Sequence, residues 1–368
     1  MRPFLAVQSG ELIELEAWLQ LLERPRDMNQ ELELFGYNVF SLACDLGHLD
    51  MVRHLTDALD TWRDSPHIDL VLLDGAGDRG LCAGGDVRGL REQIIAGNPE
   101  ATGDFFRAEY ALNAAIAEYP VPIVAYADGI TMGGGIGLAG HARIRIVTER
   151  SRLAMPETRI GFTPDVGGSL LLARAPGRLG EYLALTGATM TAADALYAGF
   201  ADHLVPTMHL APLAEALETR ADPGSPSEIV LLFDDTPDTS ALEQARGWID
   251  DAFAAPTVAE IVERLHASDV PEARETAGTL RELSPTSLTI TLEAVRRARR
   301  LDLRQALDQE YRLAQWFAVT QPDLAEGIRA QLVDKDRSPR WEPASLDALA
   351  PDLVDEAFSF VPSVPLWG

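Results

Sequence analysis

Short apolar runs alternate with helix-like segments through the middle of the chain. Val71-Leu72-Leu73 and Ile123-Val124-Ala125-Tyr126 are continuous and apolar, as expected of buried strands. Segments of helical character separate and follow them, among them Asp104 to Glu118 and Leu179 to Leu185, and another helix is predicted to begin near Asp50, in Asp50-Met51-Val52-Arg53-His54-Leu55. From about residue 51 to 207 this alternation predicts an α/β core of stacked, βαβ-like units. No sequence repeat marks the units.

From about 208 to 346 the pattern is mostly helical. Polar, proline-containing stretches at 222–227 and 234–238 are predicted connections. Thr257 to His266 has amphipathic spacing, with Val258, Ile261, Val262 and Leu265 on one face. Pro285 stands near the start of a long helical pattern running through Ala294 to Arg300, with Arg297, Arg299 and Arg300 expected on a solvated face. These helices would cover an active site or support association. The chain thus divides into a core (1–207), a helical region (208–346) and a tail (347–368). The tail is proline-rich and ends in apolar residues: Phe358, Phe360, Val361, Leu366 and Trp367. It is expected either to dock on the body or a neighbouring subunit, or to remain disordered.

Composition narrows the class. A chain of 368 residues, 46% of them hydrophobic, can bury a large core in one or two domains. A net charge of −26 argues against nucleic acid and against an anionic membrane surface as partners. Two cysteines, Cys44 and Cys82, make neither a disulfide framework nor a zinc site. Cys82 lacks a recognisable histidine partner and is expected to pack. The seven histidines show no metal-ligand spacing, and His141 is expected to pack rather than act as a base. Arg2 precedes only a very short apolar run, which is not a signal peptide, and no apolar stretch is long enough to span a membrane. Cytoplasmic placement is the resulting expectation.

Candidate chemistry concentrates in two glycine loops. The first apolar run leads into Asp74-Gly75-Ala76-Gly77 and then Leu81-Cys82-Ala83-Gly84-Gly85-Asp86; the second leads into Asp128-Gly129 and Gly133-Gly134-Gly135. Neither loop is a P-loop or a dinucleotide fingerprint. Each could offer backbone N–H groups to an anionic point, and an oxyanion hole needs two such donors on one oxygen. Two carboxylates beside prolines follow, Glu157 and Asp165. Carboxylates so placed can serve as base, acid or nucleophile.

Three motifs carry a resemblance: Cys82 to Asp86 (CAGGD), Gly129 to Leu138 (GITMGGGIGL) and Met155 to Gly168 (MPETRIGFTPDVGG). With them the chain resembles the enoyl-CoA hydratase/isomerase (crotonase) superfamily over roughly residues 51–346. Three more distal segments are similar to a thioester-hydrolase branch of that superfamily: Ser284-Pro285-Thr286-Ser287-Leu288, Gln309-Glu310-Tyr311-Arg312-Leu313 and Glu326-Gly327-Ile328-Arg329-Ala330. Asp334 to Trp341 closes the similar region. The resemblance implies a spiral of ββα units with a C-terminal helical region. Thr186-Gly187 and Ala192 to Ala198 would be the helix-turn segment that ends the core. Leu22-Glu23-Arg24-Pro25 and Asn29 resemble the first-strand motif, which makes residues 30–49 a divergent stretch or an insertion.

The resemblance also implies roles. The N–H groups of Gly85 and Gly134 would form the oxyanion hole, with Gly134 at the start of a helix. Glu157 would be the catalytic glutamate, as nucleophile or general base, and Asp165 the aspartate that accompanies it. Glu109, Gly134, Glu157 and Asp165 would contact the substrate. Arg79, Arg88 and Arg91 flank the first loop and are candidates to meet the CoA phosphates, ordinary surface roles standing as the alternative. A hydratase of the superfamily uses a second glutamate just after the triple glycine, where this chain has Gly137. Hydrolysis of a short β-hydroxyacyl-CoA, as in valine breakdown, is the implied activity. Hydration or isomerisation of an acyl-CoA is the runner-up, and a non-enzymatic scaffold the third reading. No cofactor or metal is implied beyond the CoA of the substrate; a homo-oligomer is compatible with the resemblance.

Overall fold

The computed structural model describes residues 39–43, 49–219 and 225–368, the first of these as backbone alone. The expectations for Leu22 to Pro25, Asn29, Cys44, residues 222–224 and most of 30–49 lie outside the described residues. The strands are β1 (Val39–Ala43), β2 (Leu70–Asp74), β3 (Ile123–Ala127), β4 (Ile130–Met132), β5 (Ile144–Val147), β6 (Arg152–Ala154) and β7 (His203–Leu204). They form a five-stranded sheet in the order β1-β2-β3-β5-β7 and a two-stranded sheet of β4 and β6. Every pairing is parallel.

The helices of the first half are α1 (Leu49–Trp62), α2 (Val87–Ile95), α3 (Thr102–Ala117), α4 (Gly134–Ala139), α5 (Gly168–Arg174), α6 (Leu179–Thr186) and α7 (Ala192–Ala198). The path from β3 in the large sheet to β4 in the small one and then α4 is repeated by β5, β6 and α5. It is foreshadowed by β2, after which Gly80 and Cys82 bridge to Gly129 and Thr131 before α2 begins. The unit is therefore ββα, not βαβ. The second strand of each unit is three residues or a pair of isolated bridges, too short for a period-2 pattern to register.

Residues of the large sheet alternate between two cores, as the pleat requires. Val71, Leu73, Ile123, Ala125 and Val147 point into the main core beneath the helices. Leu70, Leu72, Val124, Tyr126 and Ile146 point into a smaller core. That core is closed by Leu213 and Leu217 of α8 (Leu210–Thr219) and Val230 of α9 (Pro226–Leu231). Burial on both faces is why the strands read as unbroken apolar runs. At Pro226 and Ser227 the structure has the start of α9, correcting the expected connection. Pro226 takes the first helical turn, where its missing N–H costs nothing.

The second half continues with α10 (Ala241–Phe253), α11 (Val258–Ala267), α12 (Pro271–Arg281), α13 (Pro285–Ala298), α14 (Leu303–Thr320), α15 (Asp323–Ile328) and α16 (Leu353–Ser359). Thr257 caps α11, and Val258, Ile261, Val262 and Leu265 are its buried face. Ser284 caps α13, whose Pro285 opens the helix. Arg297, Arg299 and Arg300 lie exposed at its C-terminal end, on the solvated face expected for them. From there the Arg299 guanidinium donates to both oxygens of fully buried Glu181, at 2.8 Å each.

The tail docks on its own body. Arg312 of α14 donates to the carbonyls of Phe358 and Phe360, and Tyr311 to that of Val364. The Trp367 indole donates to the Arg304 carbonyl, and Leu366 is buried beside it.

Candidate functional site

The two glycine loops meet because their backbones are zipped together. Leu81 N–H donates to the Asp128 carbonyl (3.1 Å), Cys82 N–H to that of Ile130 (3.2 Å), and Met132 N–H to that of Cys82 (2.9 Å). The approach tolerates no side chain: a Cβ on Gly135 would stand 2.5 Å from the Cys82 carbonyl oxygen. Gly133 holds φ +50°, which turns the chain out of β4 into α4. A Cβ on Gly134 would stand only 3.6 Å from the Gly85 nitrogen, so the two backbones lie side by side. Neither the Gly85 nor the Gly134 N–H donates to a protein acceptor among the described residues. Cys82 is buried and packs at the loop base, with its sulfur accepting from Gly84 N–H at 3.4 Å.

Four carboxyls gather around these loops. Glu109 comes from α3, and Glu157 opens the 3-10 turn Glu157–Ile160 after β6. Asp165 lies in the loop before α5, and Glu310 comes from α14. Their exposures are 5%, 7%, 6% and 0%, so the cluster is closed to water. The Glu109 Oε1 atom is 2.7 Å from where a Gly134 Cβ would be, and the Glu157 Oε1 atom 3.0 Å from where a Gly133 Cβ would be. These acids therefore stand against the paired N–H loops.

No arginine or lysine pairs with any of the four among the described residues. Burial, with repulsion from Asp165, pushes the Glu109 and Glu157 carboxyls well above the usual carboxylate range. Burial raises Asp165 to about 7, although the Tyr110 hydroxyl donates to its Oδ2 at 2.7 Å and opposes the shift. Burial raises Glu310 to about 8 against two backbone hydrogen bonds. The Glu157 Oε2 atom has no hydrogen-bond partner. Several buried acids without a cation in one place are unfavourable for folding, which makes the cluster a candidate functional site.

The loop bearing Asp165 is strained and tied down. Val166 has φ +53°, which a β-branched residue adopts only under constraint. Glu310 accepts from Gly167 N–H (2.6 Å) and Ser169 N–H (2.9 Å). His141 meets the Val166 carbonyl at 2.7 Å through Nε2, which must therefore carry the proton. Burial lowers His141 to about 4, so the ring stays neutral, in keeping with packing rather than base chemistry.

Gly137 is crowded on the same side. A Cβ there would stand 2.7 Å from both Asn113 Nδ2 and Val166 Cβ, so a glutamate does not fit without displacing both. Phe105 lies 3.0 Å from a Gly85 Cβ position, and Phe106 stacks on Phe162 with centroids 5.9 Å apart. Together they make the apolar wall.

Gly85, Gly134, Glu109, Glu157 and Asp165, all singled out in the sequence, are thus brought together. Arg88 and Arg91 instead turn to the C-terminal region, donating to the carbonyls of Leu332 and Ala325. Arg79 is exposed beside the loop. Sequence reasoning gave no role to Tyr110, Asn113, Val166 or Glu310. Tyr110 and Glu310 stand inside segments singled out for other reasons, and that was their only signal. Among the described residues no group of side chains could hold a metal ion, and no helix is long and apolar enough to cross a membrane.

The sequence pattern of the enoyl-CoA hydratase/isomerase family matches residues 47–358. The chain is 40% identical over 319 residues to the mitochondrial 3-hydroxyisobutyryl-CoA hydrolase of Danio rerio, covering 84% of this chain and 83% of that one. It is 40% identical over 315 residues to its Mus musculus counterpart, covering 84% and 80%. Among solved structures it is similar to one described as a carnitinyl-CoA dehydratase from Mycobacterium thermoresistibile, at 42% identity and a TM-score of 0.83, covering 89% of this chain and 96% of that one. The expected cytoplasmic placement is corrected by these relatives, since both hydrolases are named as mitochondrial.

Proposed function

The chain belongs to the enoyl-CoA hydratase/isomerase family, and we propose that it is a thioester hydrolase, cleaving 3-hydroxyisobutyryl-CoA or a related short β-hydroxyacyl-CoA to free CoA and the hydroxy acid. That reaction belongs to valine breakdown. The observation that carries the reading is the pairing of a crowded Gly137 with buried Asp165. The position a hydratase would fill with its second glutamate is blocked by Asn113 and Val166, while an additional acid stands beside Glu157. The similarity to hydrolases over more than four-fifths of the chain supports it.

In this reading the thioester oxygen sits between the Gly85 and Gly134 N–H groups, which stabilise the charge that develops on it; such a donor is typically worth about 2.7–4 kcal/mol in the transition state. Glu157 then acts on the carbonyl carbon, by direct attack to give an anhydride or by drawing a proton from an attacking water. The carbon–sulfur bond breaks and the thiolate takes a proton from Asp165; on the anhydride route a water then adds to the anhydride, returning a proton to Asp165, and the hydroxy acid leaves Glu157 free. Burial raises Asp165 to about 7, and its charge repels that of Glu157, so one acid can be protonated while its neighbour is charged. Glu109 contacts the substrate beside Gly134. The chain's own groups supply this chemistry, and CoA arrives as part of the substrate.

The description of the similar solved structure as a dehydratase keeps a second reading in view, water addition to or removal from an acyl-CoA. The test is thiol release from 3-hydroxyisobutyryl-CoA by the wild type and by Glu157→Gln. The wild type should release thiol, and the variant should lose that activity while still binding the ester. A variant that keeps most of its rate removes Glu157 from the mechanism.

A further inference from the structure

We propose that the Asn113 carboxamide recognises the β-hydroxyl of the acyl chain and so determines specificity; this deepens the hydrolase reading and rests on it. Asn113 is fully buried, yet neither its Oδ1 nor its Nδ2 has a hydrogen-bond partner among the described residues. Buried polar groups are nearly always paired, and an orphaned carboxamide in a packed interior is strongly unfavourable. Gln315, the buried amide that packs near Tyr311, does have a partner, donating to Thr102 at 2.9 Å.

Its position indicates what the partner is. Asn113 lies one turn after Glu109 on α3, on the same face of the helix. It lies three residues after Tyr110, which holds Asp165. Nδ2 reaches the bare surface of Gly137 and faces the side chain of Val166, the residue next to Asp165. Gly137 is three residues beyond Gly134 in α4, about 4.5 Å further along the helix axis. A β-hydroxyl lies two carbon–carbon bonds and one carbon–oxygen bond from the thioester carbon, roughly 3–4 Å away. An acyl chain whose carbonyl oxygen is held at Gly85 and Gly134 can therefore bring its hydroxyl to Asn113.

The chemistry also matches. A hydroxyl both donates and accepts, and a carboxamide offers one acceptor and one donor group to meet it. A neutral amide does this without adding another charge to a cluster already crowded with acids. An ester lacking the hydroxyl would leave both ends of the amide unpaired, and sites built to bind a hydroxyl reject such analogues.

The experiment compares kcat/KM for 3-hydroxyisobutyryl-CoA and isobutyryl-CoA in the wild type and in Asn113→Leu, with folding checked by circular dichroism. The wild type should prefer the hydroxylated ester. In the variant that ester should lose about 10–100-fold while isobutyryl-CoA changes by less than about 3-fold, collapsing the preference. Asn113→Ala, which only removes atoms, reads the same ratio should the leucine variant not fold. Equal losses on both esters, or a wild type without preference, would overturn the inference and leave Asn113 a structural residue. Absence of thiol release from either ester by the wild type would defeat the hydrolase reading itself, in an arm that involves no Asn113 variant, and the inference with it.

Discussion

Replacing Asp165 by asparagine should stabilise the protein above neutral pH. Burial raises this carboxyl from 3.8 to about 7 even though the Tyr110 hydroxyl, 2.7 Å away, favours its charged form. A raised native pKa means that the unfolded chain gives up the proton first. The stabilising contribution is complete below the unfolded value and is lost as pH rises through the native one. At about 1.4 kcal/mol per unit, ionising Asp165 in the fold costs about 4 kcal/mol in alkaline solution and about 2 kcal/mol near pH 5. Asparagine keeps an oxygen to accept from Tyr110 and never ionises. The stability gap between Asp165→Asn and wild type should therefore widen by about 2–3 kcal/mol between about pH 5 and pH 8.5. Urea unfolding at both pH values measures it, with equal m-values confirming that the same surface is exposed. A gap that does not change with pH would refute the electrostatic account of the cluster. The same variant should be a poor enzyme, the usual exchange of stability against activity at a site of uncompensated charge.

Tyr110→Phe removes the hydrogen bond that most opposes the rise of Asp165, so any limb of the pH–rate profile that reports Asp165 should move to higher pH; an unmoved profile would detach Asp165 from catalysis. Gly137→Ala forces a methyl to within 2.7 Å of Asn113 and Val166 and should destabilise by about 1–3 kcal/mol, read as a lower midpoint in urea. Glu310→Ala leaves the Gly167 and Ser169 N–H groups without their acceptor, so thiol release should fall although Glu310 touches no substrate; Glu310→Gln, whose single carbonyl oxygen can accept from only one of the two, should fall between Glu310→Ala and wild type, and a glutamine variant with the full wild-type rate would contradict the role.

What the sequence made legible followed from local chemistry. Val71 to Leu73 and Ile123 to Tyr126 read as buried strands because both faces are covered. The face of α11 was visible because its apolar residues recur at helical spacing and Thr257 caps it. Gly85, Gly134, Glu157 and Asp165 were visible through contiguous motifs. The ββα repeat was not, since β4 and β6 are three residues long and the first unit has only two isolated bridges. Tyr110, Asn113 and Glu310 were silent because their meaning lies in partners far along the chain: Glu310 is 143 residues from Gly167. The solvated face of Arg297, Arg299 and Arg300 was legible, but the bond from Arg299 to buried Glu181 was not, because Glu181 is 118 residues away. The cytoplasmic expectation rested on the absence of a recognisable leader, and absence carries little weight against relatives named as mitochondrial.

The central claim is that this site, with Glu109 and Glu157 against the paired glycine loops, Asp165 acting on Glu157 and no room at Gly137, cleaves a thioester rather than hydrating a double bond. It is tested most directly by running free-thiol release from 3-hydroxyisobutyryl-CoA beside water addition to crotonyl-CoA on the same preparation. Thiol release without hydration is the expected result. Hydration without thiol release would contradict the account, and would mean that Asp165 stands in for the glutamate that Gly137 excludes.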